Sequence, residues 1–291
     1  MMELKSIETR ADALRLLGLV VAQHGETIYQ KTWDIPCRRI IFSASKSFVS
    51  CAVGFAVQEQ LLGLDERIAD LFPDELPDHP GPHLLAATVR DALTMQLGQS
   101  RAMLMAAQRV DMPEDDWCRA ALAAPFDEAP GTHFVYSNAG PYLAALAVQK
   151  RAGCDLVDYL MPRLFTPLGI KRPTWEADPM GRTFGASGLM LSLYELHRLG
   201  LLYLQKGRWQ GVQLLNPEWI AESSRKQAEN EAEGYGYLFW RGKYDSFRAD
   251  GMYGQFSIVI PGKDAVITTT AESRDQGRLL DILLEEIVPR L

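Results

Sequence analysis

The chain has 291 residues, 47% of them hydrophobic, and carries a formal net charge of −7. It is long and apolar enough to form a large core, or two lobes that share a cleft. The acidic balance argues against nucleic acid or an anionic membrane surface as a partner, and no apolar run approaches the length that spans a membrane.

The first predicted elements are two strands joined by a tight turn. Residues 17–23 and 26–33 flank His24-Gly25, which is the pattern of a β-hairpin. The residues before this hairpin carry mixed charges and lack the basic start of a signal peptide. We therefore expect a cytoplasmic protein.

The next feature is a serine and a lysine at the start of an apolar helix. Ser43 and Lys46 are three residues apart, so a helix places them on one face. A helix N-terminus supplies free N–H groups, and a desolvated lysine can remove the proton of a serine. This is the Ser-Lys form of an activated serine. A second Ser-x-x-Lys sequence at 223–226 lies in a polar run and is interpreted as a solvated helix end or loop. A Ser-x-x-Lys motif by itself does not distinguish a catalytic pair from a chance occurrence.

A long helical region is predicted from residue 45 to about residue 170, interrupted by loops rich in Pro and Gly. Within it, Tyr136 and Asn138 precede an apolar helical run at 141–149. Taken singly, Tyr136 could be a buried aromatic residue and Asn138 a helix cap. Their spacing and their order after the Ser43–Lys46 element favour one shared cleft.

The C-terminal part returns to strands and ends in a helix. The predicted strands are 234–241, 244–248, 255–260 and 265–271, and the predicted helix is 276–290. Strands at both ends with helices between them predict an α+β fold, an antiparallel β-sheet flanked by helices with an inserted helical lobe. We place a sheet domain at 1–60 plus 184–291 and a helical domain at 61–183, with the active-site cleft between them. The four cysteines are expected to be buried free thiols.

These motifs resemble those of the penicillin-recognising serine hydrolase superfamily, in its class C β-lactamase and family VIII esterase branch. Ser43-Ala44-Ser45-Lys46 matches the first motif, and Tyr136-Ser137-Asn138 matches the Tyr-x-Asn second motif. The resemblance runs from about Leu17 to the C-terminus. It implies a β-lactamase/transpeptidase-like fold and an acyl-enzyme on Ser43, with no metal or organic cofactor.

The third motif departs from the family pattern. Members carry Lys-Thr-Gly, or a His variant, on a strand beside the active site, whereas this chain has Ala249-Asp250-Gly251-Met252. The resemblance makes these four residues the candidate substrate-binding positions. The cation and the Thr read the carboxylate of a β-lactam, which Ala249 and Asp250 cannot do, and Asp250 would repel an anion. Strand alternation should place Arg248 on the face of Asp250 and away from Ala249.

The hypothesis for the mechanism is attack by Ser43 on a carbonyl carbon. Lys46 or Tyr136 would remove the serine proton; their reference pKa values are about 10.4 and 10, so one of them must be strongly shifted, and the sequence leaves open which. Asn138 would orient Lys46 or bind the substrate, and Tyr136 would protonate the leaving group. By motif position, the N–H groups of Ser43 and Met252 would form the oxyanion hole.

Three functions compete. The preferred one is an esterase or amidase that acts on small, neutral acyl substrates. A β-lactamase or D-Ala-type peptidase is disfavoured by the altered third motif and by the missing export signal. A non-catalytic, ligand-binding member is disfavoured by the intact Ser43, Lys46, Tyr136 and Asn138. The expected partner is a small-molecule ester or amide, and the sequence does not predict the oligomeric state.

Overall fold

The computed structural model describes residues 2–291, and its centre is a six-stranded antiparallel sheet. The strands of this sheet are β1 (Leu16–Gln23), β2 (Glu26–Thr32), β7 (Trp240–Gly242), β8 (Ser246–Gly251), β9 (Gln255–Ile260) and β10 (Ala265–Ala271). Their order is β2-β1-β10-β9-β8-β7, so the first hairpin pairs with the last strand. Two small pairs complete the strands: β3 (Arg39–Ile40) with β4 (Met190–Leu191), and β5 (Arg208–Trp209) with β6 (Val212–Gln213).

The α-helices lie on both faces of the sheet. Most of them, α2 to α11, come from the part of the chain between β2 and β7. In chain order they are α1 (Lys5–Arg10), α2 (Ser45–Gln58), α3 (Ile68–Leu71), α4 (Pro82–Ala86), α5 (Val89–Leu93), α6 (Ala106–Arg109), α7 (Trp117–Ala123), α8 (Ala139–Ala152), α9 (Leu156–Leu160), α10 (Leu193–Leu204), α11 (Pro217–Ser224) and α12 (Gln276–Ile287). The fold class is therefore the predicted one, an antiparallel sheet flanked by helices. The predicted domain boundaries at 61 and 183 stay a prediction.

Each face of the sheet has its own hydrophobic core. Strand alternation sends Phe256, Ile258 and Ile260 of β9 toward the layer formed by α1 and α12. Val259 of the same strand points to the opposite face, where α2, α8 and α10 pack in the larger core. The site described below lies at the edge of this second face.

Helix α2 is the central element of the larger core. All of its residues from Ser45 to Ala56 are buried, because most of them are apolar and the helix is enclosed between the sheet and α8. Its N-terminal end therefore carries Ser43 and Lys46 to the boundary between the sheet and the inserted helices.

Several predicted elements are confirmed and two strands are corrected. The hairpin and the strands at 255–260 and 265–271 are present. The predicted strand 234–241 is wrong, since only Trp240–Gly242 joins the sheet; a tight turn closed by Gly236 N–H and the Phe239 carbonyl interrupts it. The strand predicted at 244–248 begins at Ser246, because the two residues before it have positive φ, and it extends to Gly251.

The cysteines follow the prediction only in part. All four are free thiols, but Cys37 and Cys154 are exposed, whereas Cys51 and Cys118 are buried. Among residues 2–291, no helix combines the length and the apolar character needed to cross a lipid bilayer.

Candidate active site

Ser43 lies in a short 3-10 turn, Phe42–Ala44, that leads directly into α2. The sequence predicts a position inside the first turn of the helix, and the structure places it just before. The Ser45 hydroxyl donates to the Phe42 carbonyl (2.5 Å) and accepts from the N–H of Leu189 (3.1 Å). These bonds fix the turn, while Ser43 itself is only half-buried, so its hydroxyl is accessible to a ligand.

The amine of Lys46 is the centre of the site. Its Nζ lies 2.9 Å from Ser43 Oγ, 2.7 Å from Asn138 Oδ1 and 2.8 Å from the carbonyl oxygen of Ala186. The residue is 1% exposed. The structure thus brings together Ser43, Lys46 and Asn138 from two distant segments of the chain.

The second Ser-x-x-Lys sequence has a different environment. It falls at the C-terminal end of α11, and its Lys226 pairs at the surface with Glu229. Only the lysine at position 46 is buried beside its serine.

The partners of Asn138 fix which atom of its amide faces Lys46. Asn138 Nδ2 donates to the carbonyl of Leu104 (2.9 Å), so Oδ1 is the atom that faces Lys46. Oδ1 and the Ala186 carbonyl can only accept hydrogen bonds. A neutral amine has two N–H donors and one lone pair. With both donors on these acceptors, the lone pair faces the Ser43 hydroxyl and can receive its proton.

Electrostatics favour this neutral form. The pKa of Lys46 is lowered to about 7, first by burial and then by the guanidinium of Arg109, whereas the carboxylate of Asp250 acts in the opposite direction. A lysine with this pKa is substantially neutral at physiological pH.

The ring of Tyr136 is a further neighbour of the Lys46 amine. Its ring centroid is 5.0 Å from Lys46 Nζ and 5.2 Å from the ring of Trp240. Burial raises the pKa of Tyr136 above its usual range, although a hydrogen bond with the Ser43 hydroxyl opposes this shift. Tyr136 therefore keeps its proton at neutral pH and is placed to donate it.

The strand of the third motif passes directly behind the nucleophile turn. A Cβ on Gly251 would lie 2.1 Å from the carbonyl oxygen of Ile41, so only glycine fits there. This contact gives a physical reason for the one family residue that the third motif retains. It couples the end of β8 to the turn that holds Ser43.

The other residues of the third motif divide between the two faces of β8. Asp250 accepts a 2.7 Å hydrogen bond from Nε of Arg248, and both side chains are largely buried. This pairing confirms the predicted shared face. Burial raises the pKa of Asp250, against the opposing effect of Arg248. Ala249 points away, into the larger core, and is 1% exposed, so the structure does not bring its side chain into the site.

Two backbone N–H groups near Ser43 are free to bind a ligand. Among residues 2–291, neither the N–H of Ser43 nor that of Met252 donates a hydrogen bond to another protein group. Met252 follows Gly251 directly, and half of its side chain is exposed. The two donors named from their motif positions are thus unoccupied, as an oxyanion hole requires.

Two clefts adjoin the site. One, of about 640 Å³, includes Phe134 and Trp240, neighbours of Tyr136, together with Glu229 and Glu231. The other, of about 560 Å³, includes Phe42 next to Ser43. Each cleft is lined by a neighbour of a site residue rather than by Ser43 or Lys46 themselves.

Three contributors to the site were missed by sequence reasoning. The carbonyls of Ala186 and Leu104 hold Lys46 and Asn138, and Arg109 lies near enough to shift the pKa of Lys46. Backbone carbonyls carry no residue-type signal, and Arg109 is far from both motifs along the chain. Only the pair of positive-φ glycines at 185 and 188 marks the loop of Ala186 as unusual.

Comparison with known proteins identifies one family and several relatives. The family model described as Beta-lactamase matches residues 5–284. Monacolin J acid methylbutanoyltransferase of Aspergillus terreus is 29% identical over 162 residues, which are 49% of this chain and 38% of the relative. D-aminopeptidase of Brucella anthropi is 27% identical over 179 residues, which are 55% of this chain and 32% of the relative. The chain spans about a third of the length of the curated relatives it matches.

Solved structures share the fold over almost the whole chain. The octameric penicillin-binding protein homologue from Pyrococcus abyssi superposes with a TM-score of 0.78 at 19% identity, covering 97% of this chain and 76% of the other. At this identity the likeness concerns the fold alone.

Proposed function

Because the chain belongs to the Beta-lactamase family, we propose that it is a serine hydrolase that forms an acyl-enzyme on Ser43. Its fold is the β-lactamase/transpeptidase-like one expected from the motifs. The observation that carries the proposal is the 2.9 Å contact between Lys46 Nζ and Ser43 Oγ, with the other two bonds of Nζ made to pure acceptors. A buried lysine held in this way is a base aimed at one hydroxyl.

The proposed reaction assigns one role to each group. Neutral Lys46 removes the proton of Ser43 as Oγ attacks the substrate carbonyl carbon. The N–H groups of Ser43 and Met252 stabilise the developing oxyanion. Tyr136, protonated because of its raised pKa, donates its proton to the leaving group. The proton on Lys46 then passes to Tyr136, which restores both groups, and water hydrolyses the acyl-enzyme with neutral Lys46 again as the base. The pKa of Lys46 is lowered and that of Tyr136 is raised, which supports Lys46 rather than Tyr136 as the base.

We propose small, neutral esters or amides as the substrate class. The only cation on the cleft-facing side of the third motif is Arg248, and Asp250 already binds it. The cleft beside Tyr136 also carries Glu229 and Glu231. A substrate carboxylate would find no free cation at this end of the site and would meet negative charge. At this end of the site, these features support preference for neutral substrates over β-lactams, whereas the cleft beside Phe42 carries Arg15, Arg39 and Arg274.

Substrate preference is tested at Asp250, because Asp250→Asn keeps the size of the side chain and frees the charge of Arg248. We expect the wild type to cleave a neutral p-nitrophenyl ester of a short acid with a much higher kcat/KM than nitrocefin. Asp250→Asn should narrow this gap roughly fivefold, the effect of about 1 kcal/mol from one close charge.

The matched control is Glu218→Gln, which removes a carboxylate from the exposed first turn of α11. It should leave the ratio of the two kcat/KM values unchanged. A ratio that Asp250→Asn also leaves unchanged would show that this carboxylate does not set substrate choice. Efficient nitrocefin hydrolysis by the wild type would favour the β-lactamase alternative, and no turnover of either compound would favour a ligand-binding member. A cytoplasmic location stays a prediction from the sequence.

A further inference from the structure

We propose that Arg109 is a positioning residue of this site, which fixes the loop 184–188 and, through its charge, keeps Lys46 in the basic form. The inference rests on the proposed role of Lys46 as general base. It deepens that proposal by naming the residue outside the three motifs that sets the working pH of the enzyme.

Arg109 is held rigidly at the end of α6. Its guanidinium carbon lies 4.3 Å from the ring centroid of Phe184 and 5.3 Å from that of Trp117. Its Nη1 donates to Glu176 Oε1 at 2.5 Å, and 11% of its side chain is exposed. A guanidinium that packs against two rings in mutual contact and is bound by a carboxylate has a fixed position, unlike a surface arginine.

The partners of Arg109 bracket the carbonyl that binds Lys46. Phe184, under the guanidinium, donates its N–H to the carbonyl of Glu176 (2.8 Å). Glu176 in turn donates its N–H to the carbonyl of Gly188 (3.3 Å). A Cβ on Gly188 would lie 2.3 Å from that of Glu176. Ala186, midway between these two anchored residues, accepts the 2.8 Å hydrogen bond from Lys46.

The segment that leads to Arg109 also holds the second acceptor of Lys46. Met103 accepts a hydrogen bond from the N–H of Asn138 (3.1 Å), and Leu104 accepts one from its Nδ2 (2.9 Å). Residues 103–109 therefore support both oxygen atoms that receive the N–H groups of neutral Lys46.

Two ion pairs contribute charge near Lys46. On the side of the inserted helices, Arg109 is positive and its partner Glu176 is negative. Glu176 is 36% exposed against 11% for Arg109, so solvent screens the carboxylate more and a net positive field remains. On the side of β8, Asp250 is negative and Arg248 offsets part of its charge. Ser43 and Tyr136 complete the surroundings as neutral hydroxyls. Arg109 disfavours the protonated lysine, consistent with its effect on the pKa of Lys46.

The test is the pH profile of kcat/KM for a neutral p-nitrophenyl ester in the wild type and four variants. Protonation of Lys46 should produce an acid limb near pH 7 in the wild type, since the lysine must be neutral to act. Arg109→Met keeps an apolar side chain on Phe184 but removes the charge. It should move the limb to higher pH by on the order of half a unit or more, with recovery of activity at alkaline pH.

The other variants separate charge from structure. Arg109→Lys keeps the charge and should leave the limb close to that of the wild type. Glu176→Gln removes the compensating charge and should move the limb to lower pH, opposite to Arg109→Met. Arg208→Met removes an exposed arginine of the remote β5–β6 hairpin, matches the change in net charge, and should not move the limb.

The outcomes distinguish this inference from the proposed function. A limb that stays in place in Arg109→Met, or that moves the same way in Arg109→Met and Glu176→Gln, would overturn the role of Arg109 and leave the proposed function intact. If Arg109→Met does not fold, the direction of the shift in Glu176→Gln decides. A wild type without an acid limb would overturn both proposals.

Discussion

Changing Ser43 to alanine should lower ester hydrolysis by several powers of ten while the midpoint of thermal unfolding stays almost unchanged. The serine supplies the attacking oxygen, and removing a nucleophile of this kind costs on the order of 10⁴ or more in kcat. In the described chain, Ser43 Oγ contacts only the two proposed catalytic groups, Lys46 Nζ at 2.9 Å and the Tyr136 hydroxyl, and the residue is only half-buried. The loss of one small polar group there should cost little stability. Steady-state kinetics and a thermal melt of the same sample check both parts.

Ser50→Ala is the matched control for this prediction. Ser50 is buried in α2, seven residues after Ser43, and its hydroxyl has no hydrogen-bond partner among residues 2–291. Its removal should leave both turnover and stability near wild type. Turnover that survives in pure Ser43→Ala, or that disappears only in Ser50→Ala, would assign the nucleophile elsewhere.

Loss of Lys46 should be almost as severe as loss of Ser43. Lys46→Ala removes the proposed base and should lower kcat/KM by several powers of ten. Lys46→Arg should not restore activity, since a guanidinium stays protonated and cannot accept the proton of Ser43. The pKa of Lys46 is lowered to about 7. Because only the neutral amine can act as a base, activity should fall as the pH drops through this value. An active Lys46→Arg enzyme would show that the lysine is only an electrostatic or structural group.

Tyr136→Phe tests whether the tyrosine and the lysine act as one unit. Alone, it should also cost several powers of ten in turnover, because the ring is retained and only the proposed proton donor is lost. Combined with Lys46→Ala, the total loss should be far smaller than the product of the two separate losses. A fully multiplicative loss would mean that the two residues serve independent steps.

The sequence predicts the side chains of this site better than their supports. Ser43, Lys46 and Asn138 could be named because residue type, spacing and an apolar helix point to the same chemistry, and the structure joins them within 2.9 Å. The Ala186 and Leu104 carbonyls could not be named, since a backbone acceptor looks the same at every residue. Strand alternation predicted the shared face of Arg248 and Asp250, and the structure shows that the two side chains also pair there.

The errors in the fold have a local origin. Residues 234–241 are rich in aromatic residues and were predicted as a strand, but Leu238 has a φ of 63° and the chain turns before Trp240. The aromatic side chains serve another purpose there: Tyr235 and Trp240 pack around Phe134 and Tyr136. Packing against another segment, rather than β-propensity, explains this composition.

The most direct test of the central claim is the intact mass of the protein after exposure to a fluorophosphonate, followed by peptide mapping. We predict one covalent adduct per chain in the wild type, located on Ser43. We also predict full labelling of Ser50→Ala and none of Ser43→Ala. A folded wild type that remains unlabelled, or an adduct that persists in Ser43→Ala, would contradict the assignment of Ser43 as an activated nucleophile.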